Sequence, residues 1–458
     1  MSSNINQLNS IRAEILALVE KYSNIKEQSS IFIPGETTIP PSGKSLSSLE
    51  YVKTVDAVLD GWLTTGRFNT QFEKELSAIL NSKYSLTTNS GSSANLLAFA
   101  ALTSPRLGER ALKPGDEVIT VAAGFPTTVN PIIQYGCVPV FVDVDLPTYN
   151  INVENLEAAI TEKTKAIMLA HTLGNPFNLD EVLRLVKKYD LWLIEDSCDA
   201  LGAKYKPQEG FIKSRNDIIV ANQDRIVGTF GHLGTLSFYP AHHITMGEGG
   251  AVFTNSQKLK AIVESFRDWG RDCYCAPGED NSCKKRFEWQ LGDLPKGYDH
   301  KYIYSHVGYN LKITDMQAAC GLAQLQKLEG FIQKRNENFN ILFNLLKESE
   351  QHILLPKATD KATPSWFGFP ITVNTKKFAR AELIAHLGSL KIGTRNLFSG
   401  NIIRQPYMKS QKFRTADNLI NTDRIVTDTF WIGVQPSLNN EQLEFVASTI
   451  NQFVRRHI

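Results

Sequence analysis

Cysteine, net charge and long apolar runs are all scarce in this sequence. Its 458 residues include only six cysteines, Cys137, Cys198, Cys273, Cys275, Cys283 and Cys320, too few for a disulfide scaffold at this length. Lysine plus arginine (49) almost balances aspartate plus glutamate (47), leaving a formal charge of +2. That argues against nucleic acid, which needs a basic face, and against a polyelectrolyte tail. No apolar run approaches the roughly 18 residues of a spanning helix. The opening Met1-Ser2-Ser3-Asn4 lacks the basic and apolar regions of a signal peptide. The expectation is a cytoplasmic protein in a reducing compartment, with neither nucleic acid nor membrane as partner.

What is present is an ordinary globular balance, 42% hydrophobic and 21% charged. The length is about three times the ~150 residues of a single domain, so two or more packed units are expected. Residues 8–22 place Leu8, Ile11, Ile15, Leu16, Leu18 and Val19 largely on one helical face. A loop follows to about Ser48, broken by Pro40 and Pro41. The body then alternates short apolar runs (EVITVAA, VPVFVDV, KAIMLAH, LWLIEDS, TLSFYP) with helical stretches such as NLDEVLRLVKKY. Buried β-branched runs separated by helices predict a mostly parallel central sheet with helices on both faces, an α/β fold. Long helices are expected over 313–346. Beyond Pro356 a new rhythm of strand (WFGFPITV) and helix (RAELIAHLGSL, EQLEFVASTINQFVRR) predicts a smaller α/β domain. The expected division is 1–34 for an N-terminal helix and linker, 35–330 for a large cofactor-binding domain and 331–458 for a small one. The polar segment 204–225 reads as irregular.

Two features of the large unit point to a phosphorylated ligand. Ser90-Gly91-Ser92-Ser93-Ala94-Asn95 precedes the apolar run LLAFAAL, so free backbone N–H groups lie at a helix N-terminus, which suits a phosphate dianion. By itself this is more often an ordinary serine cap. Asp196 ends the apolar run Leu193-Ile194-Glu195, at the strand edge where such sheets bind ligands. A buried carboxylate there needs a cationic partner, and a protonated pyridine nitrogen serves; a helix cap is the alternative.

The run Ser237-Phe238-Tyr239-Pro240-Ala241-His242-His243-Ile244-Thr245-Met246-Gly247-Glu248-Gly249-Gly250 makes the resemblance specific. With SGSSAN, GFPTT, VFVDVD, EDSCDALG and GYNLKITDMQAACGLAQLQKL in the same order, the chain from about Gly35 onward resembles the DegT/DnrJ/StrS sugar aminotransferase family. That family uses pyridoxal phosphate on nucleotide-linked keto-sugars and has the aspartate-aminotransferase fold, fold type I. The resemblance implies that Ser92, Ser93 and Ser237 hold the cofactor phosphate, Phe125 stacks on its ring and Asp196 pairs with the ring nitrogen. Asn310 would reach the partner subunit's cofactor in a homodimer. Three departures stand out. Ordinary members carry, at the position of His242, the lysine that binds the cofactor covalently, which imidazole cannot do. Asp199 stands where glutamine is usual, and Lys312 where arginine is common. A histidine at the lysine position suits a general base acting on the cofactor; His243 reads as structural.

Cys273-Tyr274-Cys275 and Cys283 form a dense thiol group, and Cys198 lies two residues past Asp196. Four thiolates can hold a 2Fe-2S cluster, and this set resembles that of the 3-dehydrase subfamily that reduces its product through such a cluster. A four-thiolate zinc site is the competing reading, though a one-residue gap is uncommon in zinc ribbons. Cys137 and Cys320 read as buried small apolar residues. The resemblance implies C3 deoxygenation of a nucleotide-linked 4-keto-6-deoxyhexose, CDP-4-keto-6-deoxy-D-glucose above others. Non-covalent pyridoxamine phosphate would be the organic cofactor and a flavin and iron–sulfur reductase the electron source. Cluster-free dehydratases or aminotransferase-like enzymes acting on dTDP- or GDP-sugars are the alternative. Arg395 and Arg404 are candidates for the substrate diphosphate, since a guanidinium fork matches it.

Overall fold

The computed structural model describes residues 2–26, 31–214, 217–273, 275, 281–282 and 284–458. Three helices lead, α1 (Ser2–Lys26), α2 (Ser48–Leu59) and α3 (Arg67–Leu80). Strands and helices then alternate: β1 (Tyr84–Thr88), α4 (Gly91–Leu102), β2 (Glu117–Val121), α5 (Pro126–Gln134), β3 (Val138–Val142), β4 (Thr164–Ala170), α6 (Leu179–Lys188) and β5 (Trp192–Asp196). Short strands follow, β6 (Lys204–Tyr205), β7 (Phe211–Ser214), β8 (Asp217–Ile219) and β9 (Arg225–Ile226), before β10 (Leu233–Ser237), β11 (Gly250–Thr254) and α7 (Gln257–Arg267). The rest comprises α8 (Asp315–Leu325), α9 (Leu328–Leu346), β12 (Ile353–Leu354), β13 (Ala362–Thr363), β14 (Gly368–Val373), α10 (Arg380–Ser389), β15 (Arg395–Asn396), β16 (Arg414–Thr415), α11 (Ile420–Asp428), β17 (Thr429–Gly433) and α12 (Asn440–His457).

Eight strands form the central sheet in the order β1-β11-β10-β5-β4-β2-β3-β16. Only the two pairings of β11 are antiparallel. The interior strands are buried on both faces, so successive residues feed two cores. Ile119, Ile167 and Leu193 pack with Val182, Leu185 and Val186 of α6, while Val118, Ala166, Met168 and Ile194 pack with α4 and α7. This is the α/β architecture read from the sequence, and the expected apolar runs supply its strands. A second sheet, β12-β14-β17-β15, is covered by α9 and α12 through Phe339, Leu342, Val446, Ile450 and Phe453. A division at 330/331 cuts α9 within its first turn, and β16 returns from the C-terminal part to the edge of the central sheet.

Two segments differ from expectation. Residues 204–226 carry β6 to β9, which form a β7–β8 ribbon and the three-stranded sheet β13-β6-β9. Strands this short show no alternation, and β6 is completed by β13 from far along the chain. The helix expected at 8–22 exists, but its apolar stripe is only partly covered by this chain: Ile15, Leu16 and Val19 are half-buried, whereas Leu8 and Leu18 are more than half exposed. Arg12, paired with Asp56 and Asp60 of the α2 region, also fastens α1. Among the described residues no helix is long and apolar enough to cross a membrane.

Candidate active site

A cavity of about 600 Å³ opens at the carboxyl ends of β4, β5 and β10, where the N-terminus of α4 also points. Its walls include Gly91, Ser92, Phe125, Thr128, Asp196, Cys198, Asp199, Ser237, Tyr239, His242, Phe367, Arg395 and Trp431. Gly91 is required by close approach: a Cβ there would stand 2.3 Å from Cβ of Ser237. Packing the α4 terminus directly on the end of β10 therefore brings the hydroxyls of Ser92 and Ser237 to one wall. Ser93 is used differently. Its backbone N–H donates to Ser90 Oγ at 3.1 Å and its hydroxyl lies 3.0 Å from the same atom, so it secures the turn and does not line the cavity. Phe125, about half exposed, faces Phe398 edge-on at 6.3 Å.

Asp196 is buried and accepts Asn95 Nδ2 at 2.8 Å, Thr128 Oγ1 at 2.7 Å and the backbone N–H of Cys198 at 3.1 Å. Asn95 accepts in turn from Thr235 Oγ1 at 2.7 Å. All these donors are neutral, and no lysine or arginine among the described residues is within ion-pair distance of Asp196. A buried carboxylate oriented by neutral donors and open to a cavity fits a cationic ring nitrogen. The hydroxyls and free amides at the α4 terminus fit a phosphate. The residues present thus fit a phosphorylated pyridine cofactor.

His242 lies in the loop after β10, at the same cavity, with Nδ1 3.4 Å from Asp199 Oδ1. Burial pushes the Asp199 carboxyl above the ordinary aspartate value, opposed by its contact with His242. Beneath them lies Arg335 of α9, fully buried, donating to the backbone carbonyls of Phe367, Ala241 and His242 at 3.2, 3.3 and 3.2 Å. Burial lowers this guanidinium to about 10, with Asp199 opposing the shift. His243 turns inward to Ser365 O at 3.0 Å, and burial pushes its imidazole well below the usual range. On the β4 side, His171 Nε2 meets Glu195 Oε2 at 3.0 Å, and its ring stacks on Phe177. Burial alone would raise Glu195, but His171 and the amides of Gly231 and Gly228 hold it below the ordinary glutamate value.

The other expected site residues divide. Arg395 lines the cavity, whereas Arg404 pairs with Asp423 at 2.5 Å away from it. Asn310 is exposed and outside the cavity of its own chain, accepting from Lys312 Nζ at 2.8 Å. Cys198 is in the cavity wall, where burial, then Asp196, pushes its thiol well above the ordinary value. Cys273 and Cys275 do not meet it. Their sulfurs group with a ring nitrogen of His300, all within 4.8 Å of one another. Cys283 lies outside the described residues. Cys137 is buried as expected, while Cys320 is half-buried and donates to Thr245 O. Asn95, Thr128, Arg335 and His300 had no sequence signal for a role; Asn95 and Thr128 do fall inside the SGSSAN and GFPTT motifs.

A fold-type-I sheet with a carboxylate, serines and a helix terminus converging on one cavity defines a pyridoxal-phosphate-type fold. The chain belongs to the DegT/DnrJ/EryC1/StrS aminotransferase family, whose model matches residues 47–451. It is 60% identical over 446 residues to the lipopolysaccharide biosynthesis protein RfbH of Salmonella typhimurium, covering 97% of this chain and 98% of that one. It is 49% identical to the dTDP-4-dehydro-2,6-dideoxy-D-glucose 3-dehydratase of Saccharopolyspora spinosa, covering 96% and 92%. Among solved structures, the E. coli GDP-4-keto-6-deoxy-D-mannose-3-dehydratase with bound hydrated PLP superposes with a TM-score of 0.78 at 28% identity, covering 90% of this chain and 99% of that one.

Proposed function

We propose that this chain removes the C3 hydroxyl of a nucleotide-linked 4-keto-6-deoxyhexose, with CDP-4-keto-6-deoxy-D-glucose as the preferred substrate, on a route to the 3,6-dideoxyhexoses of O-antigen lipopolysaccharide. The observation that carries this reading is His242, an imidazole at the cavity wall opposite Asp199, in a family whose ordinary members have lysine there. The relatives support the reaction class: two are named as 3-dehydratases of dTDP- and GDP-linked sugars, and one is named for lipopolysaccharide biosynthesis.

Pyridoxamine 5'-phosphate (PMP), held without a covalent tether, supplies an amine for the C4 carbonyl and a ring that accepts electron density. The chain supplies the rest. Ser92, Ser237 and the amides at the start of α4 hold the phosphate, with Ser93 acting through the turn it ties to Ser90. Phe125 packs on the ring, Asp196 pairs with its nitrogen, and Asn310 serves the partner subunit's cofactor in a homodimer. His242 takes a proton at the cofactor's methylene carbon and delivers it to the departing C3 hydroxyl, which leaves as water. Arg395 binds the diphosphate.

Replacing C–OH by C–H consumes two electrons and two protons and releases one water. A flavin and iron–sulfur reductase would be the electron source, and a 2Fe-2S cluster on the thiols of Cys273 and Cys275, with Cys283, would pass the electrons singly; Cys198, expected as the fourth ligand, lines the cofactor cavity and does not join Cys273 and Cys275. The test is an anaerobic assay of purified protein with PMP, a surrogate reductase, NADH and a panel of CDP-, dTDP- and GDP-linked 4-keto-6-deoxyhexoses. A 3-deoxy product formed fastest from the CDP-sugar supports the reading. Product formed with glutamate alone, in protein lacking iron and sulfide, replaces it with a cluster-free dehydratase.

A further inference from the structure

We propose that His300 is a metal ligand together with Cys273 and Cys275, carried on an iron of the cluster in the position the family resemblance gives to Cys198. This rests on the iron–sulfur reading above. Two sulfurs and one imidazole nitrogen within 4.8 Å of one another lie at the separation that ligands of a common centre adopt, since metal–ligand bonds are about 2.0–2.3 Å long. The donor set is soft and matches iron–sulfur or zinc chemistry.

The backbone explains why these three residues meet although His300 is far along the chain. Arg271 bridges Tyr304, and the backbone N–H of Asp272 donates to Ile303 O at 3.1 Å. Asp272 also binds the Ser305 hydroxyl and pairs with Arg106. The segment leading into Cys273 is therefore strapped to the segment that follows His300. On the other side, Asp299 caps the turn that contains His300 and pairs with Arg286 at 2.7 Å. Trp289 packs edge-on against the imidazole at 4.4 Å. His300 is buried in this arrangement.

Helix α4 separates this group from Cys198. Its first residues, Gly91 and Ser92, line the cofactor cavity beside Cys198, whereas Arg106, just past its last turn, pairs with Asp272. Twelve residues of helix span about 18 Å, many times the width of a ligand shell. Among the described residues of one chain, His300 is the donor grouped with Cys273 and Cys275, and Cys198 is not.

A neutral imidazole in place of a thiolate makes the cluster less negative and raises its reduction potential. The experiment uses the full-length protein, isolated anaerobically and labelled with 15N-histidine, and reads pulsed EPR of the dithionite-reduced state alongside iron and sulfide content. The expected result is a strongly coupled imidazole nitrogen in the wild type and in Cys198→Ser. In His300→Cys that coupling is lost, iron and sulfide are retained, and the potential shifts to a lower value. A wild-type cluster without nitrogen coupling, or one that survives His300→Cys unshifted and is lost in Cys198→Ser, overturns the assignment of His300 and leaves the cluster reading standing. Stoichiometric zinc in place of iron and sulfide, lost in His300→Ala, supports His300 as a ligand and overturns the cluster. Protein with no bound metal overturns both.

Discussion

Asp199 and His242 form a carboxylate–imidazole pair, Oδ1 to Nδ1 at 3.4 Å, at the wall of the cofactor cavity. At this distance Asp199 faces Nδ1 without a formed hydrogen bond. If the carboxylate draws closer when ligand binds, a proton on Nδ1 would leave Nε2 free to face the cavity. Arg335 fixes the same loop from below by holding the carbonyls of Ala241 and His242. A buried guanidinium is a costly way to hold three carbonyls, and the beneficiary is the backbone of the residue that stands in place of the family's lysine.

Asp199→Asn tests the pair. Turnover is expected to fall by about 10- to 100-fold, a part of what general-base catalysis contributes, with PMP affinity unchanged. Stability should move the other way. The carboxyl of Asp199 is raised in the folded state by burial, so its favourable contribution is complete at low pH and is lost as pH rises through the raised folded value. The variant should therefore melt at or above the wild-type temperature at pH 7, an advantage that disappears in acid. Thermal melts across pH read this directly, and an unchanged turnover removes Asp199 from the mechanism.

His242→Asn should abolish C3 deoxygenation while PMP still binds, and retained turnover would exclude His242 as the base. His242→Lys places an amine at the cavity wall, and with pyridoxal phosphate it should produce a covalently attached cofactor absorbing above ~400 nm. Absence of that band means the side chain is not aimed at the cofactor.

Gly91→Ala is expected to damage cofactor binding more than folding. The added Cβ would stand 2.3 Å from Cβ of Ser237, and relieving that overlap costs about 1–3 kcal/mol by pushing apart the two elements that carry the serine hydroxyls. Titration with PMP should show at least a 10-fold weaker affinity, and an unchanged affinity would show that the phosphate is held elsewhere.

Glu195→Gln removes the negative charge and turns into a donor one of the two oxygens that face His171, Gly228 and Gly231. Breaking a buried pair of this kind costs about 3 kcal/mol. Because Glu195 is held below its ordinary value, its stabilisation is present above that value and lost as pH falls through the depressed folded one. Denaturant unfolding should find the deficit of the variant large at pH 7 and shrinking in acid.

Much of the site was legible because it lies in contiguous motifs. The Gly-Ser turn before an apolar helix, Asp196 at the end of an apolar strand, and His242 in SFYPAHH each depend on local pattern, and the cavity brings residues from all three together. The supports of those residues were not legible. Asn95 and Thr128 hold Asp196 from two different helices, and Arg335 reaches His242 from α9 across 93 positions of sequence. The apolar stripe of α1 gave the helix correctly, but periodicity reports which residues share a face and says nothing of what covers it.

The sequence by itself determined the alternation of strand and helix, the Gly-Ser turn before an apolar helix and the carboxylate at the end of an apolar strand, because each is encoded in the spacing of neighbouring residues, while the reading of His242 at the lysine position came from the family resemblance. Only the tertiary structure decided which distant groups meet. It set Asp199 against His242, placed Arg335 under both, and brought His300 to Cys273 and Cys275 while Cys198 stayed at the cofactor cavity. Side-chain partners tens of residues apart are chosen by how helices and strands pack, and no local repeat records that choice.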